Sequence, residues 1–125
     1  MTKVADTADI TVSIDGEEKS FPVSEFLGYL SWARLNGDYP DSIYIPYGSE
    51  VPAGTHSFNL AGSLATYKDE AGNDCFTPTS GTLALTVERP EFGVLFKHSG
   101  TLVDLTFGNQ SPVVVINGTY TISSK

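Results

Sequence analysis

Apolar and polar residues alternate with period two along most of the chain, the pattern of strands with one buried and one wet face. Ile10, Val12 and Ile14 alternate with Thr11, Ser13 and Asp15. Asp15-Gly16 follows, a pair that accommodates the positive φ of a tight reversal, so a hairpin into residues 20–23 is expected. Ile43 and Ile45 alternate with Ser42 and Tyr44, and Leu83, Leu85 and Val87 alternate with Thr82, Ala84, Thr86 and Glu88. Val94 and Phe96, then Val103, Leu105 and Phe107, repeat the pattern on either side of Ser99-Gly100, where the spacing predicts a tight turn between two long strands. Prolines 40, 46, 52, 78, 90 and 112 fall near the ends of these runs, where a missing backbone donor harms a ladder least.

Two segments admit two readings each. Residues 24–37 form a helix if Ser24 is its N-cap, Phe26 and Leu30 stack at i, i+4 and Asn36-Gly37 is its left-handed C-cap. They form a strand if Leu27, Tyr29, Ser31, Ala33 and Leu35 alternate with Phe26, Gly28, Leu30, Trp32 and Arg34. The helix must carry Gly28 at about 1 kcal/mol, and Tyr29 and Trp32 are poor helix formers. Near the other end, Asn117-Gly118 is a strong signal for a two-residue type I′ turn. Val114, Ile116, Gly118, Tyr120 and Ile122 nevertheless stay in one phase, which favours a single strand over 113–123 with Gly118 at a bulge.

The frequency of turns between such runs predicts an antiparallel β-sandwich of about eight to ten strands, with a closed or flattened barrel as the alternative. At 125 residues the chain suits one domain over 1–125, with 1–8 as a flexible lead-in. A hydrophobic content of 40% with 7 Phe, 6 Tyr and 1 Trp is too apolar for a disordered chain. Fifteen acids against seven bases give a net charge of −8, a field that repels phosphate backbones and anionic lipid surfaces, so no nucleic acid partner is expected. No stretch approaches the roughly 20 apolar residues of a membrane span, and residues 1–9 have neither the basic start nor the apolar run of an export signal. Ser, Thr and Gly supply 13, 13 and 12 residues while Lys and Arg are scarce, a mix common in secreted and virion β-domains that leans towards an extracytoplasmic location.

An ordered set of short motifs runs from about residue 10 to 123: Ile14-Asp15-Gly16, Ile43-Tyr44-Ile45-Pro46, Gly54-Thr55-His56-Ser57-Phe58, Ala65-Thr66-Tyr67, Ser80-Gly81-Thr82-Leu83 and Val115-Ile116-Asn117-Gly118-Thr119-Tyr120. In this order they resemble a group of small bacterial all-β domains of unknown function, often secreted or lipid-anchored. The resemblance implies that residues 29–36 form a strand paired with 42–47, and it implies no activity for any residue.

Candidate chemistry is sparse. His56 and His98 are the only imidazoles, and neither has a serine or cysteine nucleophile beside it in sequence. The plain reading of both is an exposed or half-buried histidine, and the enzyme reading is a small hydrolase built on one of them. Cys75 has no basic neighbour to favour a thiolate and reads as a small apolar filler. One cysteine cannot close an intrachain disulfide, and with two histidines it cannot complete a four-ligand zinc site; no cofactor is expected. Asp69, Glu70, Asn73 and Asp74 gather oxygens around Gly72, which suits either a hard cation or an Asx-capped hairpin tip. The richest feature is aromatic: Tyr29, Trp32, Tyr39, Tyr44 and Tyr47 lie close together in sequence. If Ile43 and Ile45 face the core, Tyr44 faces outward and Tyr47 inward, while a regular strand would put Tyr29 and Trp32 on opposite faces. The expected surface is therefore Tyr44 with one of those two rings, and Tyr39 at a loop tip, in a non-enzymatic binding or structural module for a protein or a glycan.

Overall fold

Residues 6–37, 40–89, 96–109 and 112–123 are described by a computed structural model, in which the alternating runs become strands. β1 (Thr7–Ile14) reverses through Asp15 and Gly16, both at positive φ, into β2 (Glu17–Ser20), so the turn lies where expected but the returning strand starts directly after Gly16 and ends at Ser20 instead of occupying 20–23. β3 (Glu25–Tyr29), β4 (Trp32–Asn36) and β5 (Ser42–Pro46) follow, then β6 (Gly54–Asn59), β7 (Thr66–Lys68), β8 (Asp74–Phe76), β9 (Ser80–Glu88), β10 (Lys97–Phe107) and β11 (Val114–Ser123). They pair antiparallel in two sheets, ordered β2-β1-β11-β10-β9-β6 and β3-β4-β5-β7-β8. The sheets pack face to face as the expected sandwich, and neither closes into a barrel. The chain changes sheet between β2 and β3, β5 and β6, β6 and β7, and β8 and β9.

The core lies between the sheets. Ile10, Val12, Leu83, Leu85, Leu102, Leu105, Phe107, Ile116 and Ile122 come from the larger sheet. Ala33, Leu35, Ile43, Ile45, Tyr67 and Cys75 meet them from the smaller one. Burying a Leu, Ile or Phe contributes roughly 1.5–3 kcal/mol, so this layer is the main source of stability.

Several expectations are corrected or resolved. Residues 24–37 are neither one helix nor one strand; they are the β3–β4 hairpin, reversing at Leu30 and Ser31, and β4 pairs with β5 as the resemblance implied. The single-strand reading of 113–123 holds as β11, but the extra residue of its bulge belongs to β10. Between Leu102, opposite Gly118, and Leu105, opposite Ile116, β10 carries one residue more than β11. Asp104 sits there at φ 50°; its N–H donates to Asn117 Oδ1 at 2.8 Å, and Asn117 Nδ2 donates back to Asp104 Oδ1 at 3.2 Å. The bulge turns Val103 outward to 47% exposure, although it was expected to share the inner face with Leu105 and Phe107. Gly118 lies beside it at φ 141°, where a Cβ would collide with the carbonyl oxygen of Asp9 on β1. Of the expected lead-in over 1–8, Thr7 and Ala8 are strand residues paired with Thr121 and Tyr120, Asp6 Oδ1 accepts the Ser123 N–H at 2.9 Å, and residues 1–5 lie outside the described residues. Val94 and the turn tip at Tyr39 lie outside the described residues.

No turn occurs at Ser99-Gly100, because β10 runs straight through both. The glycine serves a neighbour instead. A Cβ on Gly100 would lie 2.5 Å from Tyr120 Cζ, so the missing side chain makes room for the Tyr120 ring on the adjacent strand. That ring is buried, and its hydroxyl meets the hydroxyl of Tyr47 at 3.0 Å. Tyr47 Oη in turn meets His98 Nδ1 at 3.2 Å, so a polar chain from the segment after β5 to β10 and β11 ties the two sheets together inside the core. His98 is fully buried rather than exposed or half-buried, and its ring packs against Phe96 and Tyr47. Its Nε2 has no partner among the described residues. The Nδ1–H tautomer, which leaves an acceptor rather than a donor unmet, is the less costly one. Burial raises the Tyr47 and Tyr120 hydroxyls above their ordinary range. Burial, reinforced by the Arg89 charge, lowers His98 to about 4.

Two outcomes follow from this core. Gly100→Ala should destabilise the fold by about 1–3 kcal/mol through overpacking against Tyr120, read as a lower urea midpoint with an unchanged slope. For His98 the folded pKa of about 4 lies below the unfolded value near 6.5, so the unfolded chain binds more protons between them. The contribution of neutral His98 is complete above pH 6.5 and is lost as pH falls towards 4, amounting to about 3 kcal/mol at most. Melting curves from pH 7 to 4 should therefore fall more steeply for the wild type than for His98→Phe; parallel curves would contradict this.

Candidate functional site

With the inner side of the smaller sheet filled by Ala33, Leu35, Ile43, Ile45, Tyr67 and Cys75, the pleat turns every alternate residue outward. Strand registers then sort those outward residues into three rows. The first is Tyr29, Trp32 and Pro46, and the second, crossing all five strands, is Leu27, Arg34, Tyr44, Thr66 and Phe76. The third is Glu25, Asn36, Ser42, Lys68 and Asp74. The face is thus graded from aromatic at one end to polar and charged at the other.

Tyr29 and Trp32 fall on one face, contrary to the single-strand expectation, because the two-residue reversal at Leu30-Ser31 sets them directly opposite each other. The ring of Trp32 lies 6.1 Å from that of Tyr44 at an interplanar angle of 47°. Tyr29 is 44% exposed and meets the buried Phe96 edge-on at 6.4 Å. Tyr47, as its phase predicted, is buried. Leu27 at 39% and Phe76 at 57% exposure extend the apolar surface to both edges of the sheet. The sequence reading missed Leu27, Arg34 and Phe76; the signal for the first two was the alternation of 25, 27, 29 and 32, 34, 36 once a hairpin separates them.

Beside the third row opens a groove of about 250 Å³, lined by Glu25, Arg34, Asn36, Asp41, Ser42 and Lys68 among others. Asn36 Nδ2 donates to Glu25 Oε1 at 2.9 Å, and Lys68 pairs with Asp74 at 3.7 Å. Arg34 is exposed and makes no ion pair among the described residues. A second hollow of about 270 Å³, bounded by Pro46, Tyr47, Phe58, Leu60 and Leu64, is mainly apolar. Its polar neighbours are engaged locally, Asn59 Oδ1 by the Ala61 N–H and Ser63 Oγ by the Ala65 N–H.

The remaining candidates are dispersed. His56 is half-buried on β6 and its Nε2 donates to the Pro52 carbonyl at 2.8 Å, whereas His98 lies inside the core. Neither imidazole bonds a carboxylate, serine or cysteine among the described residues. Cys75 is buried on β8. In the acidic loop, Asp69 Oδ1 accepts from the N–H of Ala71 at 3.0 Å and of Asn73 at 2.8 Å, which is the Asx-capped arrangement. Asn73 Nδ2 donates to Asp69 Oδ2 at 3.4 Å within the loop, whereas Glu70 reaches Lys19 at 3.2 Å and Asp74 reaches Lys68. Among the described residues no cluster of three or more His, Cys, Asp or Glu is placed to hold a metal. Searches of family models, of curated proteins and of solved structures each returned no match to this chain.

Since Asp69 is satisfied by its own loop, EDTA should shift the melting temperature by less than about 1 °C. A native-state ligand, once removed, would lower it by more.

Proposed function

We propose that the protein is a non-enzymatic binding module whose recognition surface is the outer face of the smaller sheet, and that its ligand is a glycan. The observation that carries this is the grading of the three rows. A sugar ring has an apolar C–H face and a rim of hydroxyls; Trp32 and Tyr44 suit the first, while Arg34, Asn36 and the groove suit the second. Size favours the same reading. Three strands of five residues and two of three, set about 4.8 Å apart with a rise of about 3.4 Å per residue, cover roughly 340 Å². A stable protein partner covers about 800 Å² per side, so the face is small for that role and ample for a few saccharide units. The burial of His98 and the carbonyl partner of His56 also favour binding over hydrolysis. The Ser-, Thr- and Gly-rich composition supports a setting on a cell surface, in a secreted assembly or in a phage particle, as does the resemblance to small bacterial domains that are often secreted.

Trp32 is the only tryptophan, so its emission reports directly on this face. In a titration with a panel of oligosaccharides, a ligand should change that emission, and Trp32→Ala and Tyr44→Ala, followed calorimetrically, should each weaken binding by about 1–3 kcal/mol. Val103→Ala, exposed on the larger sheet, should leave it unchanged. Wild-type affinity in both ring variants, on folded protein, would refute the assignment.

A further inference from the structure

Arg34 stands in the middle row of the face and pairs with no acid among the described residues. On β4 it lies between Leu27 of β3 and Tyr44 of β5, with Trp32 two residues away on the same side. In a chain with fifteen acids and seven bases, an exposed cation would ordinarily find a carboxylate, as Lys19, Lys68 and Lys97 do with Glu70, Asp74 and Glu88. Arg34 does not. Glu25, its diagonal neighbour across the β3–β4 ladder, is engaged by Asn36 Nδ2. Asp74 is engaged by Lys68, and Asp41, which lines the same groove, forms no ion pair with Arg34. The guanidinium thus keeps its donor fork open towards solvent, between the Trp32 and Tyr44 rings and the uncharged Asn36 side chain.

A planar guanidinium matches a planar carboxylate through two parallel charge-assisted hydrogen bonds, a geometry that neither a hydroxyl nor an ammonium reproduces. Resting on the glycan reading above, we infer that the ligand is an acidic saccharide, its carboxylate held by Arg34 while an adjoining sugar ring stacks on Trp32 and Tyr44. Glu25, diagonal to Arg34 across the β3–β4 ladder, disfavours a carboxylate on its own side and so biases the ligand's acid towards the guanidinium. An acidic peptide is the less suitable occupant. All five strands are already paired within the sheet, so a peptide lying on the face would find no backbone partners for its own amides.

The test compares a glucuronate-containing oligosaccharide with the same compound after its carboxyl has been reduced to the alcohol, by calorimetry on the intact chain at low salt. The acidic form should bind about tenfold more tightly, and the advantage should shrink as salt is raised. Arg34→Gln should abolish the advantage, so that the two forms bind the variant within about twofold of each other, and Arg34→Lys should restore only part of it, with the fold of each variant checked by far-UV circular dichroism. If both forms bind the wild type within about twofold, the acidic specificity is overturned while the glycan face stands. If neither form binds, and neutral oligosaccharides fail as well, the glycan reading falls with it. Preference for an aspartate- and glutamate-rich peptide over the acidic saccharide would replace the ligand class altogether.

Discussion

The arrangement of the outer face depends on one constraint, the register of β4 and β5 against the larger sheet. Because side chains alternate with period two, seating Ala33, Leu35, Ile43 and Ile45 in the core leaves Trp32, Arg34 and Tyr44 no place but outside. A slip of one residue would push the Arg34 guanidinium into an apolar layer and expose two isoleucines. Exposing the isoleucines costs roughly 1.5–3 kcal/mol each, and burying an unpaired charge costs more still. The ring and guanidinium positions are therefore held by the packing beneath them, while the groove beside them is lined in part by Gly37, Pro40 and Asp41 of the β4–β5 connection.

The two outer faces of the sandwich differ in kind. On β9 and β10 the outward positions of the larger sheet carry Thr82, Ala84, Thr86, Glu88, Thr101 and Val103, with no aromatic ring among them. The outward-facing rings, and a guanidinium with no ion pair among the described residues, are concentrated on the smaller sheet. The large negative charge is kept largely off that face, with Asp15, Glu17 and Glu18 at the β1–β2 turn and Asp69 and Glu70 at the β7–β8 turn. The rows themselves hold Glu25 and Asp74 against Arg34 and Lys68, which balance.

Much of the fold was legible because alternation and Gly turns are local signals. The β1–β2 reversal, β5, β9 and the unbroken β11 could all be read from their own residues. The failures share a cause: the deciding partner is distant in sequence. Ser99-Gly100 has the composition of a turn, yet Gly100 answers to Tyr120 on the next strand. The false turn also broke the inward phase of Phe96, His98 and Leu102, and so concealed that His98 is buried. The bulge at Asp104 depends on the side chain of Asn117, and no local pattern announces it. The aromatic wealth of 29–47 was evident from composition, but its grouping on one side required the Leu30-Ser31 reversal, whose residues carry no turn signature. Arg34 escaped notice because an unpaired cation is visible only once the acids around it have been assigned.

The pairing of β1 with β11 has a kinetic consequence. These strands come from opposite ends of the chain, and β1 lies between β2 and β11 within the larger sheet. The β1–β2, β3–β4 and β10–β11 hairpins can each form from neighbouring residues, but the six-stranded sheet cannot be completed until the first hairpin docks on the last strand. That step carries nearly the full loop-closure entropy of the chain, which places the protein among slow, millisecond-to-second folders. Until it occurs, β11 presents an open edge with Val114, Ile116, Tyr120 and Ile122 uncovered. The interval before docking is when the nascent chain is most prone to pair with another copy of itself.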